Sequence, residues 1–233
     1  MYALRDLDRQ RPLMEAIQSA CAQQALPIDA IVSEAAPGQY EVNLKHRDPL
    51  GAADDAVMLK RLITQVAQLH GQQVTFMAKP FADQPGNGMH VHVSLADAAG
   101  NIFADPAQGT ARLHHAVQGL LSTMEDAQLG FVHTYNGFRR MQRGSYAPAS
   151  LSWGENNRSV AIRLPEAEPP ARRIEHRLAG ADANPYIVTA LVLAGMMKGL
   201  DEAMAPPPPS DANAYADDSL THLSPFMDDA LDR

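Results

Sequence analysis

The sequence has little cysteine, no excess of positive charge and no long apolar run. Cys21 is the single cysteine among 233 residues. One thiol excludes a disulfide framework and a cysteine-based metal site, and it fits a reducing compartment. Asp and Glu outnumber Lys and Arg by 27 to 19, for a formal net charge of −8. That balance argues against a general nucleic-acid-binding face, which needs basic residues. No apolar stretch reaches the length needed to span a bilayer. The opening MYALRDLDRQRPL mixes its charges and lacks an apolar core, so it does not read as a signal peptide. Internal repeats are missing, and no GxxxxGK[ST] segment occurs, which disfavours a P-loop nucleotide site. The expectation is a cytoplasmic protein with no nucleic-acid or membrane partner.

The periodicities that are present outline an α+β chain. Residues 8–25 have helical spacing, with Leu13, Ile17 and Cys21 on one face. Ile28–Glu34 and Tyr40–Leu44 read as short strands around the turn AAPGQ. Ala52–Leu69 reads as a helix, Val74–Ala78 and His90–Leu95 as strands, and Ala111–Met124 as another helix. Residues 134–157 read as a long irregular loop, a class of segment that is commonly functional. Val160–Leu164 and Arg173–Leu178 read as strands. Pro185–Leu200 is an apolar helix opened by Asn184-Pro185. The PPPP run at 206–209 reads as an extended spacer before an acidic stretch, 210–233. Several strand connections are too short for a parallel crossover, so a mainly antiparallel sheet flanked by helices is expected.

Three stretches hold residues capable of chemistry. In PGNGMHVHVS, side chains two apart on a strand share a face, so His90, His92 and Ser94 point one way and Met89, Val91 and Val93 the other. Neutral imidazole is a common metal ligand, and the preceding glycines let a ligand approach the backbone closely. The bland alternative is a half-exposed strand with a polar face. In RIEHR, Arg173, Glu175 and Arg177 share a face. That pattern is either a surface ion-pair row, worth little, or a carboxylate for a metal between two arginines for anionic ligands. In EAAPGQYE, Glu34 and Glu41 flank a turn, where two carboxylates can converge on one hard cation. NNRSVAIRLP adds Arg158 and Arg163, which reach one site only if Arg158 lies before the strand or a bulge intervenes. Together these residues point to a metal-dependent nucleotide site that handles phosphate and carboxylate.

KPFADQPGNGMHVHVS resembles the ATP-binding signature of the glutamine synthetase family, and EAAPGQYE, NNRSVAIRLP and RRIEHRLAGADANPY resemble its other catalytic segments, in the family's order. The resemblance implies a catalytic domain over residues 1–205, built as a funnel with ATP entering one end and glutamate the other. It implies Mg²⁺ or Mn²⁺, with Glu34, Glu41, His90 and Glu175 as ligands. It places His92, Ser94, Arg163 and Arg173 against ATP, and Gly86, Arg140 and Arg177 against glutamate. Arg158 would stabilise the transferred phosphoryl group. A homo-oligomer, dodecamer-like in the family, is implied as well.

The sequence also departs from the family. Tyr146 stands where glutamine synthetases have the glutamate that binds and deprotonates ammonium. GSYAPxxxxWGxxNR instead resembles the γ-glutamylputrescine and γ-glutamylpolyamine synthetase branch, with Tyr146 and Trp153 as an aromatic lining for a larger amine. The reaction expected is ATP-dependent ligation of glutamate to a putrescine-like or polyamine-like amine through γ-glutamyl phosphate. The alternatives are glutamine synthesis from ammonia and a catalytically inactive binding remnant. The family's N-terminal β-grasp domain and Glu-x-Glu strand are expected to be missing, and residues 206–233 to be a shortened tail, leaving little activity in this chain alone.

Overall fold

The computed structural model describes residues 4–142, 145 and 147–232. They form two compact units, unit 1 up to Phe76 and unit 2 from Met77 onward.

Unit 1 contains α1 (Leu4–Gln23), β1 (Ile28–Ser33), β2 (Tyr40–Leu44) and α2 (Pro49–Leu69). The four-residue spacing of Leu13, Ile17 and Cys21 puts them on one helix face, where they are buried with Leu59, Leu62, Ile63 and Ala67 of α2. Asp48 starts α2 by accepting a hydrogen bond from Gly51 N at 2.8 Å, with Pro49 at the first helical position. Gly71 ends it at φ +68°, and Gln72 N donates back to Ala67 O at 2.9 Å. This is the left-handed termination that glycine makes without steric cost. β1 and β2 form the expected antiparallel hairpin. Val74–Ala78, expected as a strand, is not one. Val74 and Phe76 pack on the unit 1 cluster, so their apolar side chains are partly buried without a ladder partner among the described residues.

Unit 2 contains β3 (Val91–Val93), the small hairpin of β4 (Ala96–Asp97) and β5 (Gly100–Asn101), α3 (Gly109–Met124), α4 (Gln128–Phe131), α5 (Tyr135–Arg140), β6 (Trp153–Glu155), β7 (Ile162–Leu164), β8 (Ile174–His176), α6 (Pro185–Asp201) and α7 (Met227–Leu231). The segment expected as an irregular loop, 134–157, thus holds α5, capped by Thr134, and β6. The main sheet runs β3-β8-β7-β6. The β3–β8 and β7–β8 pairs are antiparallel as expected, but β6 and β7 are parallel. The six residues Asn156–Ala161 suffice for that return because each strand is only three residues long. Asn156, at φ +53°, turns the chain back.

One face of the sheet buries Ile162, Leu164 and Ile174 with α3 and α6. α3 and α6 meet backbone to backbone, since a methyl on Gly119, Gly195 or Gly199 would collide with the facing helix. Asn184 caps α6 by accepting from Tyr186 N and Ile187 N. The last stretch is packed too: Ala214, Leu223 and Ala230 are buried, and Leu223 N donates to Ala149 O at 3.0 Å. No helix among the described residues is long and apolar enough to cross a membrane.

Candidate active site

The second face of the sheet gathers the charged residues. Strand register places His92 opposite Glu175, Glu175 opposite Arg163, and Arg163 opposite Gly154. Residues directly opposite on paired strands share a face, so three short strands bring one row of side chains together. Glu175 is at its centre, buried to 2% exposure. Its Oε1 accepts from Arg177 Nη1 at 2.6 Å and lies 3.3 Å from His90 Nδ1. Its Oε2 accepts from Arg163 Nη1 at 2.8 Å. The RIEHR stretch is therefore a buried ion cluster and not a surface row. Burial pushes the Glu175 carboxyl up, but the His90 hydrogen bond and the Arg177 charge more than offset it, holding the carboxyl well below the usual carboxylate range. Burial, reinforced by Arg177 and Arg140, lowers His90 against the opposing pull of Glu175. The balance favours the neutral imidazole, the form a metal ligand needs.

The glycine-lined approach serves an arginine. The chain at 87–89 is bonded to 179–181, with Met89 N donating to Ala179 O at 2.9 Å and Ala181 N to Asn87 O at 3.0 Å. Arg140, from the last turn of α5, lies beneath it. A Cβ on Gly86 would stand 2.9 Å from Arg140 Cγ, and one on Gly88 2.6 Å from Arg140 Nη2. Gly88 thus makes room for the arginine side chain, while Gly86 makes room first for the Ala78 carbonyl, whose oxygen an added Cβ would strike. Arg140 is 3% exposed and donates to the carbonyls of Leu178, at 2.8 Å, and Arg177, at 3.3 Å. Burial and the nearby Arg177 push its guanidinium down to about 10, so it stays charged at pH 7. Among the described residues no carboxylate forms an ion pair with it. The Asp182 charge opposes the downward shift only in part, and an arriving carboxylate would add a direct counter-charge to the buried guanidinium.

The nucleotide candidates lie further along the row. His92 and Ser94 are exposed while Val91 and Val93 pack on the core, as the alternation requires. Arg173 Nε donates to His92 Nδ1 at 3.1 Å. Arg163 Nη2 donates to Asn156 Oδ1 at 2.8 Å. The Nε atoms of Arg163 and Arg177 are buried without a hydrogen-bond partner among the described residues, two donors left over for an acceptor. Arg158 lies before β7, in the loop after β6, which resolves its five-residue spacing from Arg163. Its side chain is exposed, and its carbonyl accepts from Arg177 Nη2 at 3.0 Å.

Glu34 and Glu41 belong to unit 1. Val32 pairs with Glu41, and Glu34 N donates to Gln39 O, so the two carboxylates are diagonal neighbours on one face of the hairpin. Among the described residues no three His, Cys, Asp or Glu side chains cluster as a metal site. His90 and Glu175 give unit 2 two donors of the right chemistry, a neutral imidazole and a carboxylate. Mg²⁺ takes few protein ligands and fills its shell with water and phosphate oxygens, so two donors fit a share of such a site.

Tyr146 lies outside the described residues. Trp153, expected as an amine lining, is 3% exposed on the helix-facing side of the sheet. Its ring packs on His114 and its Nε1 donates to Pro207 O at 2.8 Å, so it is a core residue. Sequence reasoning passed over Asn136, which holds Lys79 N and Lys79 O with two 2.8 Å bonds and ties the glycine-lined loop to α5. It also passed over Asn156 and Asn157, although the NNR stretch that holds them was in view.

The pattern of "Glutamine synthetase, catalytic domain" matches residues 1–233. The chain belongs to the glutamine synthetase family. It is 39% identical over 207 residues to gamma-glutamylputrescine synthetase PuuA of Escherichia coli (strain K12), covering 88% of this chain and 44% of that protein. It is 33% identical over 217 residues to glutamine synthetase of Thermotoga maritima, covering 92% of this chain and 49% of that one. The solved GmaS/ADP complex superposes with a TM-score of 0.89 at 30% identity, covering 99% of this chain and 56% of that chain. The α+β fold is thus that of the glutamine synthetase catalytic domain, and the chain spans about half the length of the curated relatives it matches.

Proposed function

We propose that this chain is the catalytic part of a carbon–nitrogen ligase that joins the γ-carboxylate of glutamate to an amine at the expense of ATP. The observation that carries this reading is the buried Glu175 cluster beside Arg140, a buried guanidinium with no carboxylate ion pair among the described residues. Gly86, Arg140 and Arg177 hold the carboxylate substrate. His92, Ser94, Arg163 and Arg173 face the nucleotide. The γ-carboxylate oxygen attacks the γ-phosphorus of ATP and ADP leaves. The amine nitrogen then attacks the acyl carbon, the C–O bond breaks, phosphate departs, and the nitrogen loses a proton. A carboxylate would otherwise have to expel oxide, which is why phosphorylation must come first. Arg158 stabilises the charge on the phosphoryl group in transit. His90 and Glu175 contribute ligands to Mg²⁺ or Mn²⁺, which when bound neutralises phosphate charge. Glu34 and Glu41, on the hairpin of unit 1, would be a second pair of metal carboxylates.

The acceptor we assign is a putrescine-like or polyamine-like amine. Its support is the similarity to a relative named for putrescine and the tyrosine at position 146, where a neutral phenol cannot serve as the ammonium-binding carboxylate. Similarity to glutamine synthetases keeps ammonia as the second reading. Phosphate release with ATP and glutamate, measured across putrescine, polyamines, monoamines and ammonium, separates the two. Putrescine or a polyamine is expected to give the highest kcat/KM, and ammonium in first place sinks the assignment.

A further inference from the structure

Arg158 combines an exposed side chain with a pinned backbone, and the residue next to it explains how. Asn157 Nδ2 donates to Ser210 O at 2.7 Å and to Ala212 O at 2.8 Å. Its Oδ1 accepts from Ser159 N at 2.9 Å and from Ser159 Oγ at 2.7 Å. Both amide hydrogens and both carbonyl lone pairs are therefore used, and this network fixes which end of the amide is which. Ser159 Oγ in turn accepts from Ala214 N at 2.9 Å. Ser210 N donates to Trp153 O at 2.8 Å, which ties the same segment to β6. A Cβ on Gly154 would stand 2.7 Å from Ser210 O, so glycine is what lets the segment lie this close. The loop after β6 and the segment 211–215 together wall an open pocket of about 640 Å³ that includes Arg158.

We propose that Asn157 is a positioning residue for Arg158, latching the Arg158 loop to the segment 210–214. The proposal rests on the reading of Arg158 as the arginine that meets the transferred phosphoryl group. The latch leaves the guanidinium free of protein partners among the described residues, while its Cα is held from both sides: by Asn157 and Ser159 on the segment, and by Arg177 on the Arg158 carbonyl. A charge placed in this way needs no reorganisation when the phosphoryl group arrives. Remote anchoring of this kind matters because a displacement of about 1 Å costs on the order of 10²-fold in rate.

Asn157→Asp tests it. The carboxylate keeps the acceptors for Ser159 but faces the Ser210 and Ala212 carbonyls with like partial charge. Two readouts are taken on the whole chain. In hydrogen exchange, the variant is expected to lose protection at both 156–160 and 210–214, with the α3–α6 core unchanged. In turnover with ATP, glutamate and amine, kcat is expected to fall on the order of 10²-fold with little change in KM for glutamate. On an Arg158→Ala background, Asn157→Asp should add almost nothing, because it acts through Arg158. Full additivity, or unchanged protection at 156–160, overturns the proposal. Ser159→Ala, which removes only the Ala214 contact and one Asn157 contact, repeats the test if Asn157→Asp does not fold. If the wild-type chain, which spans about half the length of its relatives, turns over no amine or ammonium, the kcat comparison drops out. The latch is then judged on exchange alone, and equal protection in variant and wild type overturns it.

Discussion

Glu175 and His176 are neighbours on β8 whose side chains face opposite sides of the sheet, and each makes a different demand on pH. Glu175 balances Arg163 and Arg177 inside the protein. Glu175→Gln leaves two buried cations short of their counter-charge, and breaking a buried pair from one side costs about 3–5 kcal/mol. Urea unfolding at pH 7 should show that loss. The Glu175 carboxyl is depressed in the folded state, so its stabilisation is present above the ordinary carboxyl range and drains away as pH falls below about 4. His176 is fully buried against Phe131, with both ring nitrogens unpaired among the described residues. Burial pushes its imidazole down to about 3, with His90 adding to the effect. An unfolded chain takes up that proton near pH 6.5, so stability falls as pH drops from about 6.5 toward 3. The gap is worth on the order of 5 kcal/mol across that window. His176→Leu is expected to flatten the decline between pH 6.5 and 4.5, where Glu175 contributes none of it. Equal slopes in variant and wild type would refute this account of His176.

Among the elements, α3 and α6 depend on their glycines, and the loop before β3 depends on α5. Gly119→Val places a branched side chain against the backbone of α6. Overpacking costs about 1–3 kcal/mol, and a backbone neighbour gives way less than a side chain, so the upper end is expected by urea unfolding. Asn136→Ala removes both bonds to Lys79. It should raise hydrogen exchange across 78–88 and increase KM for glutamate more than it lowers kcat, because it loosens the approach to Arg140 and leaves Arg158 alone. The elements with long periodic signals were legible in the sequence. Leu13, Ile17 and Cys21 identified the inner face of α1, and Asn184-Pro185 marked the start of α6. The short elements were not. β6 is three residues and α5 six, too few to display a period. Val74–Ala78 shows the opposite failure, because alternating apolar residues find partly buried positions without a partner strand among the described residues.

At the scale of the whole molecule, two units carry separate cores. Leu62→Ala in α2 empties part of the first core at a cost of about 2–5 kcal/mol. Amide exchange should accelerate in α1 and α2 well before it does in α3 and α6. A uniform increase over both units would show that they unfold together. The sequence by itself determined the α+β class, the helix faces and the list of chemical residues, because side-chain period and residue chemistry are local properties. It also named the family, since several long motifs stand in order. What only the tertiary structure decided is which residues meet. RIEHR reads as a surface ion-pair row or as a metal carboxylate between two anion-binding arginines until the fold sets His90, Arg163 and Arg177 around a buried Glu175. Trp153 reads as a ligand wall until the sheet turns it toward α3. The glycines at 86 and 88 read as room for a ligand, and the fold adds that they leave room for Arg140 as well. In each case a deciding partner, His90, α3 or Arg140, is tens of residues away along the chain, and ion pairing, burial and steric room depend on distance in space.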